Sequence, residues 1–414
     1  MKKKIVIVGA GASGITAALA LADQNEIYVL EARDRIGGRI QHISAGEEII
    51  AAGAEFIHGE PELTNKILKE AGIKPQVIEG KFTRIKKAKT VEDDEPFRHW
   101  DELLDKMRSL KTDVPLASFL ANFFPGEQWA SFRHQVEQYA GGFDLADPKT
   151  ASTKKLYKEW RNESTNYRVE NAYEFLIQHF EKSLVKRNIE VRLNTICKEI
   201  RHDSESIIVI TDQGQFECDK IIISASLGCL QQKQISFTPP LLQHEEAAHQ
   251  IGFGSIIKCI AFFKKPVWKK DDAFFLSDEE IPTWWTQFPL QKNYLTGWCG
   301  GPNALAMKAL HKEKIKLKAK NSLASMFGIA QTELEELVTD IKIFNWENEP
   351  FISGGYSFDM TGSDVARKIL RTAINKRIYF TGEALYDGIH PGTVEAAMHS
   401  GLETAGLVMA DLII

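Results

Sequence analysis

The feature that most constrains this chain lies near its start. Gly9-Ala10-Gly11-Ala12-Ser13-Gly14 stands between an apolar run and a stretch rich in Ala and Leu. Ile5 to Val8 reads as a buried parallel strand, Ser13 to Asp23 as a helix, and Glu26 to Glu31 as a second strand. Strand, glycine turn, helix and strand in that order form a βαβ unit of the dinucleotide-binding kind. Gly9 permits the tight turn, Gly11 lets backbone approach a pyrophosphate, and Gly14 lets the helix pack close on the sheet. The helix start at Ala12 and Ser13 offers free N–H groups and a positive dipole end to phosphate. Glu31 closes the second strand, where its carboxylate accepts from ribose hydroxyls and repels a 2′-phosphate. NADP is therefore disfavoured at this turn.

Further along, Phe82 to Phe180 is charged and helix-patterned, with turn signals at Pro115, Pro125-Gly126 and Gly141-Gly142. It reads as a mostly helical insertion. Strand patterns return at Ile189–Leu193, Ile207–Thr211 and Ile221–Ser224, with a hairpin turn at Gln213-Gly214. Lys258–Phe263 and Phe274 onward predict a second sheet, Asn303 to Met326 one long amphipathic helix, Ile378–Phe380 a buried strand, and Gly392 onward a final helix. The fold class is α/β: a Rossmann-type dinucleotide-binding domain interleaved with an α+β substrate domain. The expected boundaries are residues 1–80, 190–250 and 345–414 for the first, and 81–189 and 251–344 for the second.

With 414 residues the chain exceeds one ordinary core, which agrees with this division. A net charge of -5 gives no reason to expect nucleic acid or an anionic membrane as partner. The five cysteines, Cys197, Cys218, Cys229, Cys259 and Cys299, include no C-x-x-C pair. No metal site is expected, and a reducing, cytoplasmic location is the simplest reading. The run after Met1-Lys2-Lys3-Lys4 is too short for a secretory signal, and no apolar stretch reaches membrane-spanning length.

Beyond the glycine turn, Glu31-Ala32-Arg33-Asp34-Arg35-Ile36-Gly37-Gly38-Arg39 matches E-A-x-x-R-x-G-G-R. This string resembles the signature of the flavin amine oxidase superfamily. The resemblance implies FAD, with Gly37 and Gly38 running backbone along it and Arg33 and Arg39 touching its phosphate and ribityl region. Gly53-Ala54-Glu55-Phe56-Ile57-His58-Gly59 resembles a polyamine oxidase segment that passes beside the flavin, with Phe56 in place of Trp. His58 there faces the substrate cavity by resemblance; taken alone it is equally a surface-loop histidine. Cys197 takes a position that meets the adenine through backbone atoms. Ile221 to Leu230, with Ser224 after the strand and Ser226 in place of the usual Pro, resembles the family's crossover between domains.

Gly252 to Trp268 is similar to a monoamine oxidase segment whose single lysine, here Lys258, reaches a water near flavin N5. Trp346, Pro350 and Gly354-Gly355-Tyr356-Ser357 fit the approach to the flavin. Tyr356 occupies the site of a flavin-bearing Cys, so the resemblance implies non-covalent FAD. By the same resemblance Gly382-Glu383 faces the ribityl region, and Gly392-Thr393-Val394 begins a helix aimed at the pyrimidine end of the flavin. Asn171-Ala172 stands where a Gly-Gly pair is common.

The implied reaction takes hydride equivalents from the carbon next to an amine nitrogen. The imine hydrolyses, and O2 is reduced to H2O2. Lys258, His58, Tyr356 and His390 are the candidate catalytic residues. Tyr356 supplies one aromatic wall, and His390 or Ile389 stands near the other. One of Trp284 and Trp285 is a further candidate wall, and Glu55 and Glu395 are candidate carboxylates for a cationic substrate. Two alternatives stand beside amine oxidation: a related flavin desaturase or protoporphyrinogen-oxidase-like enzyme, and a non-catalytic FAD-binding interaction protein.

Overall fold

The structure is a computed structural model that describes residues 2–86, 89–91, 98–162, 164–388 and 390–413. The chain forms two compact units, each assembled from separated segments. The first comprises Met1–Pro75, Asn171–Phe253 and Pro350–Ile414; the second comprises Gln76–Glu170 and Gly254–Glu349.

In the first unit a five-stranded sheet runs in the order Glu190–Arg192, Glu26–Leu30, Lys4–Val8, Lys220–Ile223, Ile378–Phe380, and every pair is parallel. Ile5, Val6 and Ile7 are fully buried, as a continuous apolar run in the middle of a parallel sheet must be. On one face Val6, Val8, Ile221 and Ile223 join a core with Ala366 and Leu370 of the helix Ser363–Arg371 and Ala247 and Ala248 of the helix Leu242–His249. The first helix, Ala12–Leu21, packs against the last, Val394–Ile413. They cross closely at Gly401, where a Cβ would come within 2.4 Å of the Ser13 carbonyl oxygen.

The helix Glu174–Lys186 packs on the first helix and on Glu62–Ala71. Residues 171–189 therefore belong with the first unit, although the helical pattern of the sequence groups them with the insertion. Asn171 and Ala172 hold φ of 61° and 46°. The left-handed backbone that a glycine pair adopts freely is kept here by Asn, which tolerates it, and by Ala, which is strained in it.

In the second unit a seven-stranded sheet runs in the order Val338–Asn345, Ile256–Phe263, Tyr294–Gly300, Thr283–Trp285, Asp272–Ser277, Lys81–Lys86, Lys89–Val91. Alternate residues divide between its faces. Ile257, Cys259, Ala261, Phe263, Trp284, Leu295 and Cys299 share a core with Ile315, Ala319 and Leu323 of the helix Lys312–Phe327. Lys258 and Ile260 fall on the opposite face. Four α-helices follow from Trp100 to Trp160, as the charged stretch predicts, whereas Lys81–Lys86 is a strand of the sheet. Within the predicted insertion, residues 87, 88, 92–97 and 163 lie outside the described residues.

The single helix expected over Asn303–Met326 is two, Gly301–Ala306 and Lys312–Phe327. His311 is extended, with φ -62° and ψ 145°, and its ring accepts from the Glu313 N–H, so the second helix has its own start. Residues 345–349, expected with the cofactor domain, fall in the second unit because the turn Trp346–Asn348 packs on the strand Ile256–Phe263. Replacing Gly401 with Ala forces the helix crossing of the first unit apart and is expected to lower stability by about 1–3 kcal/mol. The measurement is the urea midpoint, and an unchanged midpoint would contradict the close crossing.

Candidate functional site

The first strand ends at Val8, and Gly9 turns the chain with φ 106° while its N–H donates to the Leu30 carbonyl at 2.8 Å. A Cβ on Gly9 would lie 2.9 Å from the Ser224 carbonyl oxygen, and one on Gly14 would lie 2.1 Å from the Gly9 carbonyl oxygen. A Cβ on Gly11 meets nothing within 4 Å. Two glycines thus answer to internal packing and the third to open space. The helix behind them starts at Ala12 with no side-chain cap and no acidic residue in its first turn. Its amides and dipole are left for an anion.

Glu31 is 6% exposed. One carboxylate oxygen accepts from the Ala10 N–H at 2.7 Å and the other from the Arg33 N–H at 2.9 Å. Burial pushes its pKa up, and these two hydrogen bonds, with Arg33 and Arg35, oppose the shift. The residue expected to meet a ribose also welds the glycine turn to the end of the second strand. Each oxygen keeps a lone pair for a further donor.

The following loop lies against the glycine turn. Gly37 donates to the Ala10 carbonyl at 2.8 Å, and Gly37 and Gly38 take φ of 97° and 58°. A Cβ on Gly38 would lie 3.4 Å from the Gly11 Cα, so the trough between the two loops is lined by backbone. Ala32 and Arg33 are half-buried, and Arg33 reaches the Gln41 side chain at 3.4 Å. The loop is held from within by Arg35, which donates to the carbonyls of Ile36, Gly38 and Ile40 and to Gln41. Arg35 occupies the motif's own Arg position, yet its role appears only when the loop is folded around it.

Arg39 joins distant parts of the chain. It donates to the Glu383 carboxylate at 2.6 Å and to the Gly355 carbonyl at 2.9 Å, and it lies over the Phe253 ring. Glu383, 3% exposed, accepts on its other oxygen from Ser357 at 2.6 Å. Gly382, with φ 154°, presents open space where a Cβ would stand, and its N–H donates to Ser400. Thr381 bonds both Ser13, at 2.6 Å, and Ser400. Gly53 and Ala54 donate to the carbonyls of Gln41 and Arg39 and so run beside the same loop. Glu55 is buried, the Phe56 carbonyl accepts from the Tyr173 hydroxyl, and His58 is exposed and edge-on to the Phe56 ring. Asn194 and Thr195 pair with the backbone of Arg33 and Glu31, which leads the chain to Cys197 at the start of its strand.

Tyr356 packs against Gly392, where a Cβ would come within 3.0 Å of the ring. His390 holds φ 62°, and burial lowers its pKa. Ile389 lies outside the described residues. Thr393 caps the last helix: its hydroxyl donates to the His390 carbonyl and accepts from the Ala396 N–H. The helix then runs from Val394. Glu395, a candidate for substrate recognition, is committed elsewhere, accepting from the N–H groups of Leu63 and Thr64 and from the Thr64 hydroxyl at the start of another helix.

In the second unit Lys258 is 1% exposed, and its Nζ lies 5.7 Å from the centre of the Trp285 ring. Trp298, opposite Lys258 in the sheet, sits 5.9 Å from Trp285, ring to ring. Trp284 points the other way, into the core, and donates to the Ile281 carbonyl. The tryptophan pair is thereby divided between packing and the lysine face. Trp346 is buried in the turn after the strand Val338–Asn345.

A family model described as flavin-containing amine oxidoreductase matches residues 12–409. The chain belongs to that family, and FAD is its cofactor. It is 24% identical to lysine-specific histone demethylase 1B of Mus musculus over 99% of this chain and 53% of that protein, so it spans about half the length of that relative. It is 24% identical to polyamine oxidase 2 of Arabidopsis thaliana over 97% of this chain and 87% of that protein. Among solved structures, wild-type putrescine oxidase bound to putrescine superposes with a TM-score of 0.82 at 21% identity, over 99% of each chain. The α/β fold is thus that of the FAD-dependent amine oxidases.

The first unit fits FAD on its own geometry, through the uncapped helix start, the open faces of Gly11 and Gly382, and the backbone trough beside Gly38. Glu383→Ala removes the carboxylate that orders Arg39 and Ser357. FAD dissociation is expected to rise on the order of tenfold, about 1.4 kcal/mol, followed by flavin fluorescence on dilution. Unchanged affinity would sever this network from the cofactor. With Tyr at position 356, acid precipitation should release all flavin to the supernatant; yellow, flavin-bearing precipitate would contradict a dissociable cofactor.

Proposed function

We propose that this protein is an FAD-dependent amine oxidase acting on a small mono- or polyamine. The observation that carries this reading is Lys258, a primary amine kept in the interior on a sheet face shared with Trp285. Burying a lysine is costly, and such groups concentrate where chemistry needs them. Bound flavin supplies the hydride acceptor and passes the electrons to O2.

The chain's own residues bind and orient. The turn from Gly9 to Gly14, with Ala12 and Ser13, holds the pyrophosphate. Glu31 takes the ribose, while Arg39 and Glu383, beside Gly37, Gly38 and Gly382, order the ribityl region. The start of the last helix, at Gly392, Thr393 and Val394, would offer a positive dipole end to negative charge on the bound cofactor. Tyr356 walls the substrate, and Lys258 holds a water and assists reoxidation. A neutral amine is the reactive form, and an aromatic, water-poor setting favours it by desolvation. The relatives named for polyamine and putrescine oxidation support the substrate class. All five cysteines are buried free thiols, which supports a reducing, cytoplasmic location. Among the described residues no helix is long and apolar enough to cross a membrane.

A peroxide-coupled assay of the FAD-loaded protein over monoamines, polyamines and amino acids tests the reading. Peroxide is expected with at least one amine, and Lys258→Met is expected to slow flavin reoxidation about a hundredfold in stopped flow, the low end of the range for an acid–base group. No peroxide with any amine at full FAD occupancy would overturn the proposal in favour of a desaturase or a binding protein.

A further inference from the structure

We propose that Ser226 is a positioning residue for Tyr356, acting through a strained segment just before it. Phe351 and Ser353 hold φ of 62° and 56°, and Gly354 holds 144°. Non-glycine residues in the left-handed region are costly and persist only where their surroundings over-determine them. The surroundings here are the short helix Leu227–Gln231 and the residues around it.

The Ser226 hydroxyl has one proton and two acceptor sites. It donates to the Ile352 carbonyl at 2.6 Å and accepts from the Cys229 N–H at 3.2 Å, capping the helix. A Cβ on Gly228 would stand 2.5 Å and 2.6 Å from the carbonyl oxygens of Ser353 and Ile352, so this turn rests directly on the strained backbone. Ser353 is gripped further on, donating to Gln232 at 3.1 Å and accepting from Gln234 at 3.2 Å.

The strain ends at the site. Gly355 offers its carbonyl to Arg39, Tyr356 packs on Gly392, and Ser357 binds Glu383. The gripping segment begins beside Ser224, whose backbone and side chain abut Gly9 and Gly14. One stretch of chain therefore spaces the pyrophosphate turn from the Tyr356 ring. The Ser226 hydroxyl bonds the Ile352 carbonyl and the Cys229 N–H, and so sets the backbone from which Tyr356 projects.

The kinetic part of the test rests on the amine-oxidase reading; the spectroscopic part does not. The FAD-loaded wild type, Ser226→Ala, Ser226→Thr, Tyr356→Ala and the Ser226→Ala/Tyr356→Ala double variant are compared with the most active amine of the panel. Losing one such hydrogen bond is worth roughly threefold to tenfold. Ser226→Ala is expected to raise KM by about that factor with kcat within about twofold, and to change the visible circular dichroism of bound flavin. Ser226→Thr keeps the hydroxyl and is expected to restore both, since Thr also caps helices. In the Tyr356→Ala background Ser226→Ala is expected to change neither readout further, because coupled residues are non-additive.

Unchanged KM and dichroism in Ser226→Ala, an equal effect in both backgrounds, or failure of Thr to rescue would each overturn the proposal. If no amine turns over, the amine-oxidase reading falls, and the dichroism cycle alone decides the role of Ser226.

Discussion

The first unit turns on the ion pair between Arg39 and Glu383. It joins the loop after the second strand to the loop after the last strand, at 2.6 Å and with the carboxylate almost wholly buried. A buried carboxylate is tolerable only when its oxygens are satisfied, and Glu383 spends one on Arg39 and the other on Ser357. Three segments far apart in sequence are thereby brought to the same edge of one parallel sheet. That edge, at the carboxyl ends of the strands, is where open α/β sheets bind their ligands.

The same edge is kept free of side chains. Gly11 and Gly382 face open space, and Gly38 lies against Gly11. Charged and hydroxyl side chains stand behind this backbone surface. Glu31 ties the glycine turn from beneath, Arg35 fills the inside of the second loop, and the Ser13–Thr381–Ser400 hydroxyls close the joint with the last helix. Arg367, buried with Asp359, holds the Ala384 carbonyl from the far side. The polar residues nearest these loops spend much of their bonding capacity holding them in place.

Alternation in the second sheet does comparable work. A strand has two faces, and adjacent residues must part. Trp284 and Trp285 therefore take different fates, as do Lys258 and Cys259. The Cys259 thiol is fully buried, and burial pushes its pKa up strongly. Lys258 stands instead among Trp285 and Trp298.

The sequence by itself determined the glycine turn, the strand–helix–strand unit built around it, and the family. These depend on backbone conformation, local periodicity and contiguous motifs, and all three are written within a few residues. Tertiary structure alone decided the rest. A period-two pattern marks two faces without saying which one meets the core, so the tryptophan pair stayed open until the sheet was assembled. Glu395 reads as a free carboxylate beside a site, but it is consumed by the first turn of a distant helix. Residues 171–189 carry the helical pattern of the insertion, yet their apolar face packs in the first unit. Arg35 stands out in the motif and Ser226 as a departure from the usual Pro, but neither residue's role shows in sequence, because the groups they hold become neighbours only on folding. Hydrogen-bond partners separated by a hundred residues or more leave no periodic signal in a single chain.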